Sequence, residues 1–259
     1  MGKQNWFGKV TGKMGSVIKR AFESYRLLLK SIPWWVTLPF VMSVVFMNLF
    51  ANKVIFRYGN FLAADGGLLI SWIPFLTMDM VVKRFGPKAA TKMNIFAMLV
   101  NLLCIGVFSA VVAIPGDGGD YSAFNGAFGS TWFIILGSSI AFVVSGVVNN
   151  FSNFAIGKLF KKNPSGKLAY VSRTYVSTFL GQFVDNVIFA VIVFVVFGPM
   201  YWEGFEPFTA GLCFGTGVVG AVLELLMEVL FSPIGYKVCN KWQEQGVGKE
   251  YIEAYAEVV

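Results

Sequence analysis

Six runs of apolar residues, each about 20 residues long, constrain the fold of this 259-residue chain more than any other feature. A helix of that length crosses the roughly 30 Å hydrocarbon core of a bilayer. The composition agrees, because only 14% of the residues are charged, whereas a soluble domain has about 25%. The sequence therefore predicts an all-α, polytopic membrane protein with six transmembrane spans, at residues 33–52, 66–82, 94–114, 131–148, 174–197 and 208–231.

The basic residues predict how these spans are oriented. Lys and Arg lie before the first span, in the second and fourth loops and after the sixth span, whereas the other three loops contain only Lys53 and Arg57. Because cytoplasmic loops have the excess of basic residues, both termini are predicted to be cytoplasmic. The net charge of +7 is then a consequence of topology. No nucleic-acid partner is expected, because the basic residues do not cluster on one face of a soluble domain.

The chain is expected to have three parts. Residues 1–32 form a cytoplasmic amphipathic segment, residues 33–236 the six-helix transporter domain, and residues 237–259 a cytoplasmic tail. Between residues 11 and 30, apolar residues recur at helical spacing opposite basic ones, which is typical of a helix on the anionic inner leaflet. Recruitment of a partner is the alternative role for this segment.

The composition argues against catalysis. Histidine is absent, which excludes His-based acid–base catalysis, His metal ligands and Ser-His or Cys-His nucleophile pairs. Cys104, Cys213 and Cys239 lie far apart and are interpreted as reduced packing residues. There is no phosphate-binding loop for ATP. We therefore expect neither an enzyme nor a cofactor or metal site.

Acidic residues within the spans point to a functional site, because a charge inside a bilayer is costly and usually faces a protein interior. Asp79 lies in the second span and Asp185 near the middle of the fifth. Gln182 shares a helix face with Asp185, so these two residues predict the wall of a polar pocket. The alternative is that they only join helices through hydrogen bonds.

The sixth span contains two further acidic residues, Glu224 and Glu228, one helical turn apart. Two ionised carboxylates at that spacing would repel each other in a site of low dielectric. They are candidates either for proton coupling or for structural pairing with Lys83, Arg84 or Arg173.

Two other features of the spans concern a binding site. Asn149 and Asn150 end the fourth span, where they suit hydrogen bonding to a ligand. The second span contains Gly66, Gly67 and Pro74. These residues predict either a broken helix of the kind found at transporter sites or an ordinary helix with a kink.

Three stretches resemble the queuosine precursor transporter family, whose members are also described as putative vitamin uptake transporters. The stretches are MNLFANKVIF, WIPFLTMDMVVKRFGPKAA and SRTYVSTFLGQFVDNVIF, and the similarity extends over residues 48–236. By position, the family's shared polar residues fall on Asp79, Arg173, Gln182 and Asp185. The chain departs from the family pattern at Glu224, where a Lys is often found, and at Asn149 and Asn150, where an acidic residue is often found.

The resemblance implies a six-helix secondary carrier in the cytoplasmic membrane of a prokaryote. Coupling of transport to protons is one of the mechanisms open to such a carrier. Its cargo would be a 7-deazaguanine base used in tRNA modification, such as preQ0, preQ1 or queuine. The implied partners are this small-molecule substrate and the lipid bilayer, with the oligomeric state open between a monomer and a homodimer. The candidate substrate-binding residues are Asp185, Gln182, Asp79, Asn149, Asn150, Arg173, Glu224 and Glu228.

Two other functions remain open. One is the substrate-binding subunit of an ATP-driven vitamin uptake system, which usually has small residues four apart on its first helix. The corresponding register here is Ser43, Met47 and Ala51, and its middle member is bulky. The other is a channel or a structural membrane protein.

Overall fold

A computed structural model of the protein describes residues 2–59, 62–129, 131–159 and 167–255, which are mostly helical. The first half contains α1 (Gly2–Ser31), α2 (Trp34–Phe50), β1 (Val54–Tyr58), β2 (Leu62–Asp65), α3 (Leu68–Phe85), α4 (Pro87–Val112) and α5 (Ser122–Gly129). The second half contains α6 (Thr131–Leu159), α7 (Lys167–Ala190), α8 (Gly198–Tyr201), α9 (Ala210–Glu244) and α10 (Lys249–Tyr255). A π-helical segment, Val191–Phe197, continues α7 and leads into α8.

Proline, glycine and threonine set several helix boundaries. Pro33 disfavours helical geometry in the residue before it, and the last turns of α1 are bent by 107° from α2. Gly86 has a φ of 87°, a conformation that suits glycine, and Pro87 then begins α4. Thr209 caps α9 by accepting a hydrogen bond from the Leu212 amide at 3.2 Å.

Four helical segments are long and apolar enough to cross a membrane: Pro87–Val112, Ser122–Asn149, Tyr175–Tyr201 and Ala210–Phe231. A fifth is obtained if the end of α1 and the whole of α2 count as one bent span. Helix α2 alone has 17 residues, and α3 has 18 that include Asp79, Lys83 and Arg84. The structure thus confirms a largely α-helical, multi-pass membrane protein with four or five candidate spans among the described residues. Six spans and the orientation of the termini stay predictions.

The surface of α4 shows why this chain needs lipid around it. Leu99, Leu103 and Val107 lie on one helix face, and each exposes more than half of its side chain. Such a stripe is unfavourable in water but suits contact with acyl chains.

The hairpin between α2 and α3 was not predicted from the sequence. Its strands pair antiparallel, from Val54 opposite Asp65 to Tyr58 opposite Leu62. The first strand, VIFRY, is rich in β-branched and aromatic residues, and Gly59 turns the chain with a φ of 56°. In the sequence, this segment is identified only as the loop between the first two spans.

Helix α3 runs without a break through Pro74, which favours the ordinary-helix interpretation of the second predicted span over a broken one. Gly66 and Gly67 precede the helix. A Cβ on Gly67 would lie 2.5 Å from the Met47 carbonyl oxygen, and one on Gly66 would lie 2.8 Å from that of Phe50. The two glycines therefore let the start of α3 approach the backbone of α2.

Two clusters of buried apolar side chains lie at opposite ends of the bundle. One joins α1, α2, α3, α4, α9 and α10 and includes Phe40, Phe85 and Trp242. The other includes Phe133, Phe194 and Leu212 and surrounds the junction of α6, the π-helical segment and α9. The middle of α9, between these clusters, carries two buried acidic side chains, Glu224 and Glu228.

The terminal segments pack together rather than forming separate tails. Helix α9 continues past residue 236 to Glu244, and α10 packs against α1. On α1, Leu28 is buried while Ile18 and Phe22 are exposed. An apolar exposed face on a helix that runs at 107° to α2 supports the predicted position along the membrane surface. The predicted division at residues 32 and 236 stays a prediction.

Candidate functional site

A layer of buried polar residues crosses the bundle between the two apolar clusters. Glu224 lies at mid-length on α9, about 18 Å along the helix from Leu212 and about 22 Å from Cys239 at 1.5 Å per residue. Helices α6, α7, α9 and α3 meet here, and each contributes at least one polar side chain. We call the described members of this group the polar layer: Ser71, Ser145, Asn149, Gln182, Asp185, Asn186, Thr216, Glu224 and Glu228.

Asp185 faces α6 rather than lipid. The Ser145 hydroxyl, 7% exposed, donates a hydrogen bond to Asp185 Oδ1 at 2.7 Å. A short bond to a carboxylate is among the stronger hydrogen bonds in proteins. The prediction that Asp185 lies inside the protein is therefore supported, and Ser145 is its partner on the neighbouring helix.

Asn186, the residue after Asp185, connects α7 to α9. Its side-chain amide nitrogen, Nδ2, donates to Glu224 Oε2 at 3.2 Å and to the main-chain carbonyl oxygen of Gln182 at 2.9 Å. Gly220 makes this possible, because a Cβ there would lie 2.7 Å from the Asn186 carboxamide. Ser71 of α3 lies beside the Glu224 carboxyl group, and its hydroxyl donates to the Leu68 carbonyl oxygen at 3.2 Å. Helices α3 and α7 thus both place a polar side chain at this carboxyl group.

Glu228 lies one turn after Glu224 on α9, and both are buried, at 4% and 6% exposure. Two of the three basic partners suggested by the sequence, Lys83 and Arg84, are engaged elsewhere, and the side chain of Arg173 lies outside the described structure. Lys83 Nζ lies 3.6 Å above the Tyr236 ring, and Arg84 donates two hydrogen bonds, of 2.7 and 3.0 Å, to the Val247 carbonyl oxygen. Structural pairing of the two glutamates with Lys83 or Arg84 is therefore not what the structure contains.

Three buried oxygens in the polar layer lack a hydrogen-bond partner among the described residues: Gln182 Oε1, Asn149 Oδ1 and Thr216 Oγ1. Gln182 is 3% exposed, and Asn149 lies one turn from Ser145 on α6, packed against Gly181 of α7. A buried acceptor left without a donor destabilises the fold, so such groups in native proteins call for an explanation. Ligand binding is one such explanation.

Three predicted site residues lie partly outside the described structure. The backbone of Asp79, Asn150 and Arg173 belongs to α3, α6 and α7, but their side chains are not described. Their approach to the polar layer stays a prediction.

Four members of the layer were not among the predicted binding residues: Ser71, Ser145, Asn186 and Thr216. The spacing of residues in the sequence could have identified two of them. Asn186 is four residues after Gln182, and Thr216 continues the Gly220, Glu224, Glu228 stripe at intervals of four. Ser71 and Ser145 resemble ordinary small packing residues until the neighbouring helix is known.

Asp65, at the end of β2, is an acidic group just outside the spans. Its Oδ1 accepts a hydrogen bond from the Gly67 amide at 2.8 Å, at the start of α3. Burial raises the pKa of Asp65 to about 6, although backbone hydrogen bonds from Gly67 and Leu68 oppose the shift. Asp65 also lies close enough to Glu224 to interact with it electrostatically.

Two cavities open outside the polar layer. One, of about 580 Å³, opens between the end of α2, β1, α3 and α5, and Asn52, Lys53 and Trp202 are among its lining residues. The other, of about 280 Å³, lies between Pro33 and Trp242. Neither is lined by the polar layer, whose residues lie on helices that pack against one another.

A family described as putative vitamin uptake transporter matches residues 65–238, about two thirds of the chain, including all of the polar layer. No curated protein and no solved structure matches.

Proposed function

The chain belongs to the putative vitamin uptake transporter family, and from this premise we propose that it is a secondary carrier that imports a 7-deazaguanine precursor of queuosine. The setting proposed is the cytoplasmic membrane of a prokaryote. Family membership indicates a transporter rather than an enzyme. What we add to the family assignment is the identity of the cargo and the coupling of its transport to protons.

The observation that carries the proposal is the polar layer, which holds three carboxyl groups between two apolar clusters. Glu224 and Glu228 are buried and Asp185 is half-buried, on helices that pack against one another. Hydrogen bonds between helices can be made by serine or asparagine at lower cost than by carboxyl groups. Their presence supports a site that recognises a polar guest at this depth.

The chemistry of the free oxygens supports a cargo rich in N–H groups. A 7-deazaguanine presents an amidine-like edge with adjacent N–H donors on a flat ring. Asp185 can accept two such bonds, while Gln182 Oε1 and Asn149 Oδ1 are further acceptors without a present partner among the described residues. Binding of the base would therefore satisfy groups that the packed state leaves unpaired.

The competing function, a binding subunit of an ATP-driven system, needs a free face of small residues on the first span. Ser43 and Ala51 are 4% and 3% exposed, so both face the interior of this chain. That burial favours an autonomous carrier. Uptake of the base by purified protein in liposomes, without ATP or a second protein, is the expected result.

The primary test is uptake of a labelled deazaguanine precursor into cells that cannot make it. Expression of the wild-type chain should restore uptake. Asp185→Asn should reduce uptake at least about tenfold, the value of one hydrogen bond to a charged group, and Gln182→Ala about 2- to 12-fold, the value of one neutral hydrogen bond. Asn101→Ala is the matched control, because Asn101 is a buried amide on α4, which packs mainly on α2 and α3. Wild-type uptake no higher than in empty cells, or full uptake by Asp185→Asn at equal expression, would contradict the proposal.

Glu224 and Glu228 are the proposed proton carriers. If a proton moves with the cargo, dissipating the proton gradient should abolish accumulation by the wild type. Glu224→Gln should then bind the base but accumulate none of it. Accumulation by Glu224→Gln that still depends on the gradient would assign coupling to another group.

A further inference from the structure

The cleft of about 580 Å³ between α2, β1, α3 and α5 has a volume typical of a small-molecule site. It opens at the end of the bundle that contains the hairpin. Its walls come from four separated segments, so it is a feature of the tertiary fold. The lining residues are Leu49, Phe50, Asn52, Lys53, Ile55, Gly66, Leu69, Ala123, Gly126, Ala127 and Trp202.

Three of these residues give the cleft a chemical preference. Trp202 offers an aromatic surface and Lys53 a cation. Asn52 donates its amide hydrogen to the Leu49 carbonyl at 3.0 Å, and its Oδ1 is buried with no hydrogen-bond partner among the described residues. The combination suits a flat, polar molecule that can donate an N–H and stack on an aromatic ring.

The cleft lies directly beside the polar layer. Leu69 lines the cleft, whereas Ser71, two residues later on α3, reaches Glu224 in the layer. The first turn of α3 is thus the partition between them. Gly66 and Gly67, just before this turn, let the chain pack closely against the carbonyl groups of Phe50 and Met47 on α2, which closes the passage between the cleft and the layer.

From this arrangement we propose that the cleft is an outer site that holds the base before it passes the start of α3 to the polar layer. This proposal rests on the proposed transport function. It also places the hairpin on the non-cytoplasmic side, as the distribution of basic residues predicts. Separation of α2 from α3 at the two glycines is the movement that connects the two sites.

A lipid tail is the other occupant that an apolar cleft in a membrane protein could take. An acyl chain has no donor for Asn52 Oδ1 and no acceptor for the exposed Lys53 ammonium group, so it would leave the buried oxygen of Asn52 without a partner. A flat base with N–H and carbonyl groups serves both residues. The polar lining therefore favours the base.

Cysteine protection tests the outer site. Ala123→Cys places a thiol in the cleft wall on α5, and Asn125→Cys places one on the same helix outside the lining. A membrane-impermeant thiol reagent added to intact cells should label both variants. Addition of aminomethyl-deazaguanine should slow labelling of Ala123→Cys several-fold, with half-protection near the concentration that half-saturates uptake, and leave Asn125→Cys unchanged.

The outcomes separate the two proposals. If wild-type cells take up the base but it does not protect Ala123→Cys, nor Ile55→Cys on the opposite wall, the outer site is wrong and the carrier stands. Protection by a short-chain phospholipid and not by the base assigns the cleft to lipid. Absence of uptake by the wild type overturns the proposed function itself. Labelling only after the membrane is permeabilised would place the cleft on the cytoplasmic side and also overturn the proposal.

A second variant reports on affinity. Asn52→Leu removes the unpaired acceptor and should raise the half-saturating concentration of uptake about 2- to 12-fold, the equilibrium value of one neutral hydrogen bond. The maximal rate should change less, because the polar layer is intact. An unchanged half-saturating concentration would show that Asn52 does not bind the base at the outer site.

Discussion

Each of the carboxyl groups of Asp185 and Glu224 has a hydrogen-bond donor from a neighbouring helix. Ser145 of α6 serves Asp185, and Asn186 of α7 serves Glu224. These bonds orient the carboxyl groups and join α6, α7 and α9 at one depth. They also leave further acceptor capacity on each carboxyl group, since a carboxylate accepts about four hydrogen bonds.

Gln182 provides a test of whether the unpaired acceptors serve binding. Gln182→Met keeps the length of the side chain and removes an acceptor that has no described partner. Removing an unsatisfied buried group should stabilise the fold, by about 1 kcal/mol, while binding of the base is lost. Thermal unfolding in detergent with and without the base would measure both effects. A destabilised variant that still binds would show that Gln182 has a structural role.

Asp65 gives the folded protein a specific pH dependence. Its pKa is about 6 when folded, above the ordinary value of 3.8, so the folded state binds the proton more tightly than the unfolded state. The stability that this group contributes is complete below about pH 4 and is lost as the pH rises through 6. Asp65→Asn should therefore unfold at the same temperature as the wild type at pH 4 and at a higher temperature at pH 7. Equal unfolding temperatures at both pH values would contradict this.

The sequence could identify Asp185, Gln182, Glu224 and Glu228 as candidate site residues because ionisable or amide groups are conspicuous in apolar spans. It could not identify Ser145 or Ser71, whose importance depends on which helix lies opposite. For the same reason the sequence could not show that Lys83 and Arg84, two of the three basic residues considered as partners of the glutamates, lie nearer to the aromatic ring of Tyr236 and the carbonyl group of Val247.

At the scale of secondary structure elements, the contact between α2 and α3 is close enough for one added methyl group to disrupt it. Gly67→Ala places a Cβ 2.5 Å from the Met47 carbonyl oxygen, a backbone atom that cannot move alone. We expect destabilisation of about 1–3 kcal/mol, typical of overpacking.

Gly106→Ala is the matched control for this substitution. Gly106 lies within α4, and a Cβ there would contact nothing within 4 Å. Because alanine favours helix, this change should be neutral or stabilising by up to about 1 kcal/mol. Equal unfolding temperatures for the two variants would show that the α2–α3 contact is not tight.

Helices α4, α6, α7 and α9 could be predicted because hydropathy over about 20 residues reports directly on membrane crossing. The hairpin and the π-helical segment could not. The hairpin is short and follows an apolar run, and VIVFVVF contains no signal that separates i→i+5 from i→i+4 hydrogen bonding. The helix through Pro74 was one of two alternatives that only the structure could distinguish.

For the whole molecule, the distribution of Lys and Arg predicts that both termini are cytoplasmic. Alkaline phosphatase fused after residue 255 should therefore be inactive, whereas phosphatase inserted within residues 116–121 should be active. These residues form an exposed segment between α4 and α5, which suits an insertion. Active enzyme at the C-terminus would reverse the orientation.

The central claim is that the polar layer recognises a 7-deazaguanine base, and calorimetric titration of the purified protein with aminomethyl-deazaguanine tests it most directly. The wild type and Asn101→Ala should bind the base saturably with one site per chain, and Asp185→Asn should bind it at least about tenfold more weakly. No binding by a folded wild-type protein, or equal affinity in Asp185→Asn, would contradict the claim.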